Sequence, residues 1–155
     1  MPSYSEMRDK VALVTGGSSG IGLAAARAFA QQGARVVIAS RNERRGKEAL
    51  AALDGEGDVQ WRAADVADGK AVAKLVDGVI KLHGRLDYAF NNGGSGGRGA
   101  PVGKMSEDAW RRTIDGFLTS VFLCMRFEIP AMEKSGVIVN NASVDGLRGY
   151  PFPAG

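Results

Sequence analysis

The amino-acid sequence predicts an α/β fold, a doubly wound parallel sheet with the strand order 3-2-1-4-5. Five short apolar runs typical of buried strands alternate with four segments of helical periodicity. A glycine-rich turn follows the first run, and polar residues follow the others. Strands that alternate with helices form parallel sheets through right-handed crossovers. Because 155 residues are an ordinary length for one domain, we expect a single domain over residues 1–155.

The first element is a strand that ends at Thr15 and leads into the segment GGSSGIG at residues 16–22. Apolar residues then recur on one face of a helix that begins near Gly20. Glycines let the backbone turn sharply, and the helix N-terminus presents N–H groups to the turn. This arrangement suits a pyrophosphate, with a purely structural turn as the alternative. The residues of the predicted phosphate site are Thr15, Gly16, Ser18, Ser19, Gly20, Ile21 and Gly22.

The second strand begins at Arg35, and Ser40 and Arg41 stand at its end. In a dinucleotide-binding fold, the residue at this point contacts the adenosine ribose, and an acidic residue there binds the 2′-hydroxyl. A hydroxyl followed by a guanidinium favours a 2′-phosphate instead, so the sequence predicts NADP, with NAD as the alternative. The competing interpretation is that Arg41 only opens the next helix in solvent.

The third strand covers Val59–Ala63 after a charged amphipathic helix over residues 42–53. Its alternation of polar and apolar residues is typical of an edge strand. Asp65 and Val66 follow it. A carboxylate just past the end of a strand can accept a hydrogen bond from the adenine amino group. A helix N-cap or a turn is the other interpretation of Asp65.

Asp68 is expected to cap a third helix, whose apolar stripe ends at His83. His83 is the only histidine of the chain. We interpret it as a packing residue at the helix end, which leaves no histidine base for a hydrolase triad. The fourth strand, over residues 86–90, leads into the segment NNGG at residues 91–94.

Ser106 is expected to cap a long fourth helix, which follows a glycine-rich segment over residues 95–103 that we expect to be mobile. The fifth strand, GVIVN at residues 136–140, is followed by Ser143. An apolar stripe on the long helix is expected to pack in the core. The stripe consists of Trp110, Ile114, Phe117, Leu118, Val121, Phe122 and Met125.

The polar residues that follow the strands all belong to one edge of the predicted sheet. Parallel strands end at the same edge, and ligands bind there between strands 1 and 4, where the order reverses. The sequence therefore predicts one shared site that includes residues 15–22, Ser40, Arg41, Asp65, Asn91 and Ser143.

Composition excludes several classes of protein. The net charge is +3, and the basic residues are scattered, so we expect no nucleic-acid partner. No apolar run has the length of a membrane span, and the N-terminus lacks the apolar region of a signal peptide. Cys124 is the only cysteine, which fits a reducing cytoplasm. We also expect no metal site.

Four motifs give the chain a resemblance to the classical short-chain dehydrogenase/reductase family, whose fold is of the Rossmann type. They are TGGSSGIG at residues 15–22, DV at residues 65–66, NNGG at residues 91–94 and IVNNAS at residues 138–143. The resemblance implies hydride transfer between NAD(P) and a small-molecule alcohol or carbonyl, in a homodimer or homotetramer. It further implies the roles of single residues: adenine binding by Asp65 and Val66, the cofactor-side turn at Asn91 and Gly93, and orientation of the substrate oxygen by the catalytic Ser143.

The chain departs from the family pattern at three points. The family's Tyr-x-x-x-Lys acid/base motif should fall just past Gly155, and Tyr150 has no lysine four residues on. We therefore expect the N-terminal portion of such an enzyme, without the family's last strands and helices. Phe117 holds the place of the family's helical asparagine, and Gly93 replaces the usual alanine. A degenerate or truncated nucleotide-binding homologue without redox activity is the alternative function.

Overall fold

The computed structural model describes residues 5–94 and 100–147. Five parallel strands form one sheet in the order β3-β2-β1-β4-β5, so the predicted fold class and strand order are confirmed. The central strands are buried on both faces, as expected of a parallel sheet between two helical layers. The strands are β1 (Val11–Thr15), β2 (Arg35–Ser40), β3 (Val59–Ala63), β4 (Leu86–Asn91) and β5 (Met132–Asn140).

Helices cover both faces of the sheet. The first two pack on one face, where Ala26, Ala30 and Leu53 join the core. The third and the last pack on the other face through Val72, Val79 and related side chains. None of the helices in the described ranges could span a membrane. They are α1 (Gly20–Gln31), α2 (Glu43–Ala52), α3 (Gly69–His83), α4 (Glu107–Ile114) and α5 (Ser120–Ala131).

The predicted helix boundaries are confirmed by their caps. The side chain of Asp68 accepts a hydrogen bond from the backbone N–H of Lys70, and that of Ser106 accepts one from Ala109. Helix α3 ends at Gly84, which has a φ of 77°. Such a left-handed residue closes a helix at little cost only when it lacks a Cβ.

The predicted burial of the stripe on the long helix is wrong. Phe117 is 57% exposed, Leu118 66% and Phe122 58%. The helix runs on from α4 to α5, as predicted, with a π-helical turn over Asp115–Thr119 between them. The positions that face the sheet are small or polar instead: Gly116, Ser120, Cys124 and Glu128. Small side chains allow close helix–sheet contact, and Leu123 and Phe127 pack beside them, partly buried against the core.

The last strand also differs from its prediction. Strand β5 begins at Met132, directly after α5, rather than at Gly136, and its pairing with β4 is irregular near Leu86. The described parts of the chain pair β5 with β4 alone, so it lies at the edge of the sheet. Residues 95–99 and Tyr150 lie outside the described residues, and the expected mobility of that segment stays a prediction.

Candidate functional site

A cleft of about 840 Å³ lies at the carboxyl edge of the sheet, beside the ends of β1, β2, β3 and β4. Its place agrees with the topological switch point at which open α/β sheets bind ligands. Ten of the residues predicted for the site line it. They are Gly16, Ser18, Ser19, Gly20, Ile21, Ser40, Arg41, Asp65, Val66 and Gly93.

The glycine turn forms one wall of the cleft. Gly16 and Gly20 have φ values of 65° and 52°, which side chains with a Cβ rarely adopt. A Cβ on Gly22 would overlap the carbonyl group of Gly16, so this glycine lets α1 pack against the turn. Ser19 is the N-cap residue of α1, but its side chain makes no capping hydrogen bond. The first N–H groups of α1 are therefore not capped by Ser19, as an anion site requires.

Ile21 is 64% exposed although it is a large aliphatic residue. It lies in the first turn of α1 and lines the cleft. A bound ligand would remove part of this apolar surface from water. The turn thus combines backbone donors for an anion with an apolar contact, and both features fit a dinucleotide.

Thr15 does not line the cleft, but its side chain binds the segment after β4 that does. Its side chain is buried, and Oγ1 accepts hydrogen bonds from the backbone N–H groups of Asn92 (3.1 Å) and Gly93 (3.0 Å). A Cβ on Gly93 would lie 3.1 Å from the Thr15 Cβ. The threonine therefore fixes the segment after β4 against the end of β1.

The end of β2 is the basic part of the cleft. Arg41 and Arg45 both line it, whereas Arg44 pairs with Glu48 along α2 at 2.6 Å. The sequence alone did not show which of Arg44 and Arg45 faces the cleft, because this depends on the rotation at which α2 packs on the sheet. Nη1 of Arg41 lies 3.8 Å from Oδ2 of Asp65 across the cleft.

Asp65 makes the turn contact considered for it and also lines the cleft, while its binding of adenine stays a prediction. Its Oδ1 accepts a hydrogen bond from the backbone N–H of Ala67 at 3.0 Å, which is a turn contact. The same residue lines the cleft together with Val66. The carboxylate therefore stabilises its own loop while an oxygen stays within reach of Arg41 and of a ligand.

Asn91 lies behind the cleft in a buried polar network. Its Nδ2 donates hydrogen bonds to Oε2 of Glu128 at 2.9 Å and to Oδ1 of Asn140 at 3.0 Å. Burial raises the pKa of Glu128, and the hydrogen bond from Asn91 opposes this shift only in part. Burial also raises the pKa of the neighbouring Cys124 thiol to about 12. Asn91 thus joins β4, β5 and α5 directly beneath the cleft.

Ser143 follows β5 at the same edge of the sheet. It is exposed and does not line the cleft, and its backbone carbonyl accepts a hydrogen bond from Gly146 at 3.1 Å. The preceding segment is tied to β4, because the backbone N–H of Asn141 donates to the carbonyl of Asn91 at 2.9 Å. The structure therefore brings Ser143 to the predicted edge but not into the cleft wall.

Several lining residues were not predicted from the sequence. They lie at the end of β2 and the start of α2, after β3, after β4, or on α4 and the π-helical turn, and no spacing signal marks those on α4 and this turn. Phe117 does not line the cleft, but it lies next to Gly94, which lines it. A Cβ added to Gly94 would lie 3.1 Å from the Phe117 ring. The residues not predicted are Ala39, Asn42, Arg45, Ala64, Ala67, Asn92, Gly94, Arg112, Asp115 and Gly116.

The sequence profile of the family described as short chain dehydrogenase matches residues 10–154. The chain belongs to this family. Curated relatives include a 3beta-hydroxysteroid dehydrogenase of Mediterraneibacter gnavus, 41% identical over 94% of this chain and 54% of the relative. A 2,5-dichloro-2,5-cyclohexadiene-1,4-diol dehydrogenase of Sphingobium indicum is 37% identical over 96% of this chain and 60% of the relative.

Solved structures of the family agree with the fold. A short chain dehydrogenase from Mycobacterium smegmatis has a TM-score of 0.88 and 38% identity, over 97% of this chain and 65% of that one. An NAD⁺-bound xylitol dehydrogenase has a TM-score of 0.89 and 32% identity, over 94% of this chain and 57% of that one. The chain spans 54% to 60% of the curated relatives named here.

Proposed function

We propose that this chain supplies the cofactor half of an NADP-dependent oxidoreductase that interconverts a small-molecule alcohol and the corresponding carbonyl compound. When bound, the nicotinamide supplies or accepts the hydride. The observation that carries the proposal is the cleft at the switch point, with a glycine turn at one wall and two arginines at the end of β2. The 3beta-hydroxysteroid and cyclohexadienediol dehydrogenases support the reaction class by their names.

The chain's own residues then have distinct tasks. The N–H groups at the start of α1 bind the pyrophosphate, and the Asp65 carboxylate accepts a hydrogen bond from the adenine amino group. Asn91 and Thr15 hold the segment after β4 in place for the cofactor. Ser143 donates a hydrogen bond that orients the substrate oxygen, once that part of the site is complete.

The preference for NADP rests on charge. Arg41 and Arg45 line the cleft together with Ser40, the last residue of β2, and in dinucleotide-binding folds the residue at this point contacts the adenosine ribose. Asp65 lies on Arg41 at 3.8 Å, but both side chains are about half exposed, so this ion pair is weak and a 2′-phosphate can replace it. The NAD⁺-bound xylitol dehydrogenase supports NAD as the alternative cofactor.

Replacement of Arg41 tests the cofactor assignment. We expect Arg41→Asp to weaken NADP binding by roughly 10- to 100-fold, because charge-assisted hydrogen bonds to the 2′-phosphate are lost, while NAD binding stays unchanged or improves. Arg44→Asp is the matched control, because Arg44 carries the same charge but pairs with Glu48 outside the cleft. Calorimetric titration of both cofactors measures the ratio, and an unchanged ratio in Arg41→Asp would refute the assignment.

A nucleotide-binding homologue without redox activity is the second candidate, and Phe117 favours it. A phenyl ring cannot make the hydrogen bonds of the asparagine that the family has at this place. Absorbance of reduced nicotinamide, followed in the full-length protein with a panel of alcohols and ketones, separates the two functions. Cofactor binding without turnover on any substrate would favour the second.

We also propose that the whole protein is a cytoplasmic homo-oligomer. The support is the exposed apolar face of the long helix, which would be covered in a larger assembly, and the buried, unpaired Cys124, which fits a reducing compartment. The large exposed side chains of this face are Trp110, Phe117, Leu118, Phe122 and Ile129.

A further inference from the structure

Trp61 lies on β3 outside the cleft, yet it contacts a cleft residue. Its indole Nε1 donates a hydrogen bond to Oγ of Ser40 at 2.9 Å. We propose that Trp61 is a positioning residue, which makes the Ser40 hydroxyl a hydrogen-bond donor aimed at the 2′-phosphate of NADP. This inference rests on the proposed function and deepens it, because it names a determinant of cofactor choice that neither touches the cofactor nor carries a charge.

The contact follows from the register of the sheet. Trp61 is paired with Ile38, and Ser40 is two residues further along β2. Side chains two residues apart on a strand point to the same face, so the indole and the Ser40 hydroxyl lie diagonally on one face of the sheet. The backbone of Ser40 is fixed as well, because its carbonyl accepts a hydrogen bond from the N–H of Ala64 at 3.1 Å.

Gly46 provides the space for the indole. A Cβ on Gly46 of α2 would collide with the Trp61 ring at Cε2 and Nε1, and so with the atom that makes the hydrogen bond. Gly46 is buried, and Trp61 packs against the core between the sheet and α2. The indole is therefore held from both sides, and its N–H has a fixed direction.

The chemistry of the two groups decides the direction of the next hydrogen bond. An indole N–H is only a donor, so Oγ of Ser40 acts as the acceptor in this pair. The hydroxyl keeps its one proton, which it can donate into the cleft. Both a 2′-phosphate and a 2′-hydroxyl can accept this proton, but a hydrogen bond to the charged phosphate oxygen is the stronger of the two. A Ser40 hydroxyl held as a donor therefore favours a 2′-phosphate over a 2′-hydroxyl.

Two adenosine nucleotides test this role without turnover. The probes are adenosine 2′,5′-bisphosphate, which carries the 2′-phosphate, and AMP, which lacks it, both titrated calorimetrically into the full-length protein. We expect Trp61→Phe, which keeps a ring but loses the donor, to weaken binding of the bisphosphate about 3- to 10-fold, the range of one hydrogen bond. Binding of AMP should be unchanged. Trp110→Phe is the matched control, because Trp110 is the other tryptophan and does not line the cleft.

Ser40→Ala completes a double-mutant cycle. If Trp61 acts through Ser40, Trp61→Phe has no further effect on bisphosphate binding in the Ser40→Ala background. Gly46→Ala displaces the indole without removing it and should reproduce the selective loss, which keeps the test decisive if Trp61→Phe folds poorly.

The outcomes separate the inference from the function on which it rests. A selective loss that vanishes in the Ser40→Ala background supports the role of Trp61. Unchanged bisphosphate affinity in Trp61→Phe, or an equal loss for both probes, overturns it while the NADP assignment stands. If the unaltered protein binds both probes equally, the NADP assignment itself fails, and the role of Trp61 fails with it.

Discussion

The inner strands and one edge of the sheet use similar apolar sequences with different results. In β1 and β2, Leu13 and Val37 are 1% and 0% exposed, because helices cover both faces. In β5, Val137 and Val139 are 49% and 53% exposed, and on α5 Phe122 is 58% exposed. The runs ALVT at residues 12–15 and VIVN at residues 137–140 are nearly indistinguishable as sequence.

The comparison teaches that an apolar pattern identifies residues that favour burial but not the element that covers them. The first half of the chain supplies its own cover, since α1 and α2 pack on one face and α3 on the other. On the long helix, the fully buried positions are small or polar, Leu123 and Phe127 are only partly buried against the core, and Phe117, Leu118 and Phe122 are exposed. The cleft is lined mainly by residues of the covered half.

The largest expected effect is a difference between two leucines. Leu13→Ala should lower the free energy of unfolding by about 3 kcal/mol, because it removes buried methyl groups and leaves a cavity. Leu118→Ala, at a side chain that is 66% exposed, should change it by less than about 0.5 kcal/mol. Urea denaturation of the two variants measures both. A cost for Leu118→Ala close to that of Leu13→Ala would mean that this helix face is covered in the full-length protein.

A pair of helical glycines sharpens the comparison within the covered half. Gly22→Ala should destabilise the protein by roughly 1 to 3 kcal/mol and weaken nucleotide binding, because its Cβ would overlap the Gly16 carbonyl. Gly78→Ala on α3 meets no atom within 4 Å and should stabilise the protein by about 0.5 to 1 kcal/mol, since alanine favours helix. Thermal unfolding and nucleotide titration check both, and equal effects would contradict this packing role of Gly22.

The smallest expected effect concerns Glu128, which faces Asn91 of β4 from the covered stripe of α5. Burial raises its pKa above the ordinary 4.5, so the folded state keeps a proton that the unfolded chain releases. The contribution of Glu128 to the free energy of unfolding should therefore be fully present below about pH 4.5 and be lost as the pH rises through the raised pKa. In Glu128→Gln this loss should be absent.

Urea denaturation at a series of pH values measures the effect. The control is Glu48→Gln, an exposed glutamate on α2 that loses the same charge, and its profile should parallel that of the unaltered protein. If the free energy of unfolding of Glu128→Gln changed with pH in parallel with that of the unaltered protein, Glu128 would not have a raised pKa, and its surroundings would not be dry.

Much of the site followed from local sequence signals. The glycine turn, Ser40, Arg41 and Asp65 directly follow predicted strands, and the geometry of a parallel sheet brings the ends of strands together. Thr15 and Asn91 were expected at the site for the same reason, but their side chains point into the protein and hold the cleft from behind. The position of a residue in a strand does not determine the direction of its side chain at the end of the strand, where the chain begins to turn.

The sequence by itself determined the presence and order of the strands, the glycine turn and the family, because these depend on periodicity, glycine positions and short motifs. Only the tertiary structure decided that Arg45 rather than Arg44 lines the cleft, that Trp61 contacts Ser40, and that α4 and α5 are separated by a π-helical turn. These outcomes depend on the rotation at which each helix docks and on diagonal contacts between strands. The physical reason is that such relations join residues distant in sequence, and no local pattern encodes them.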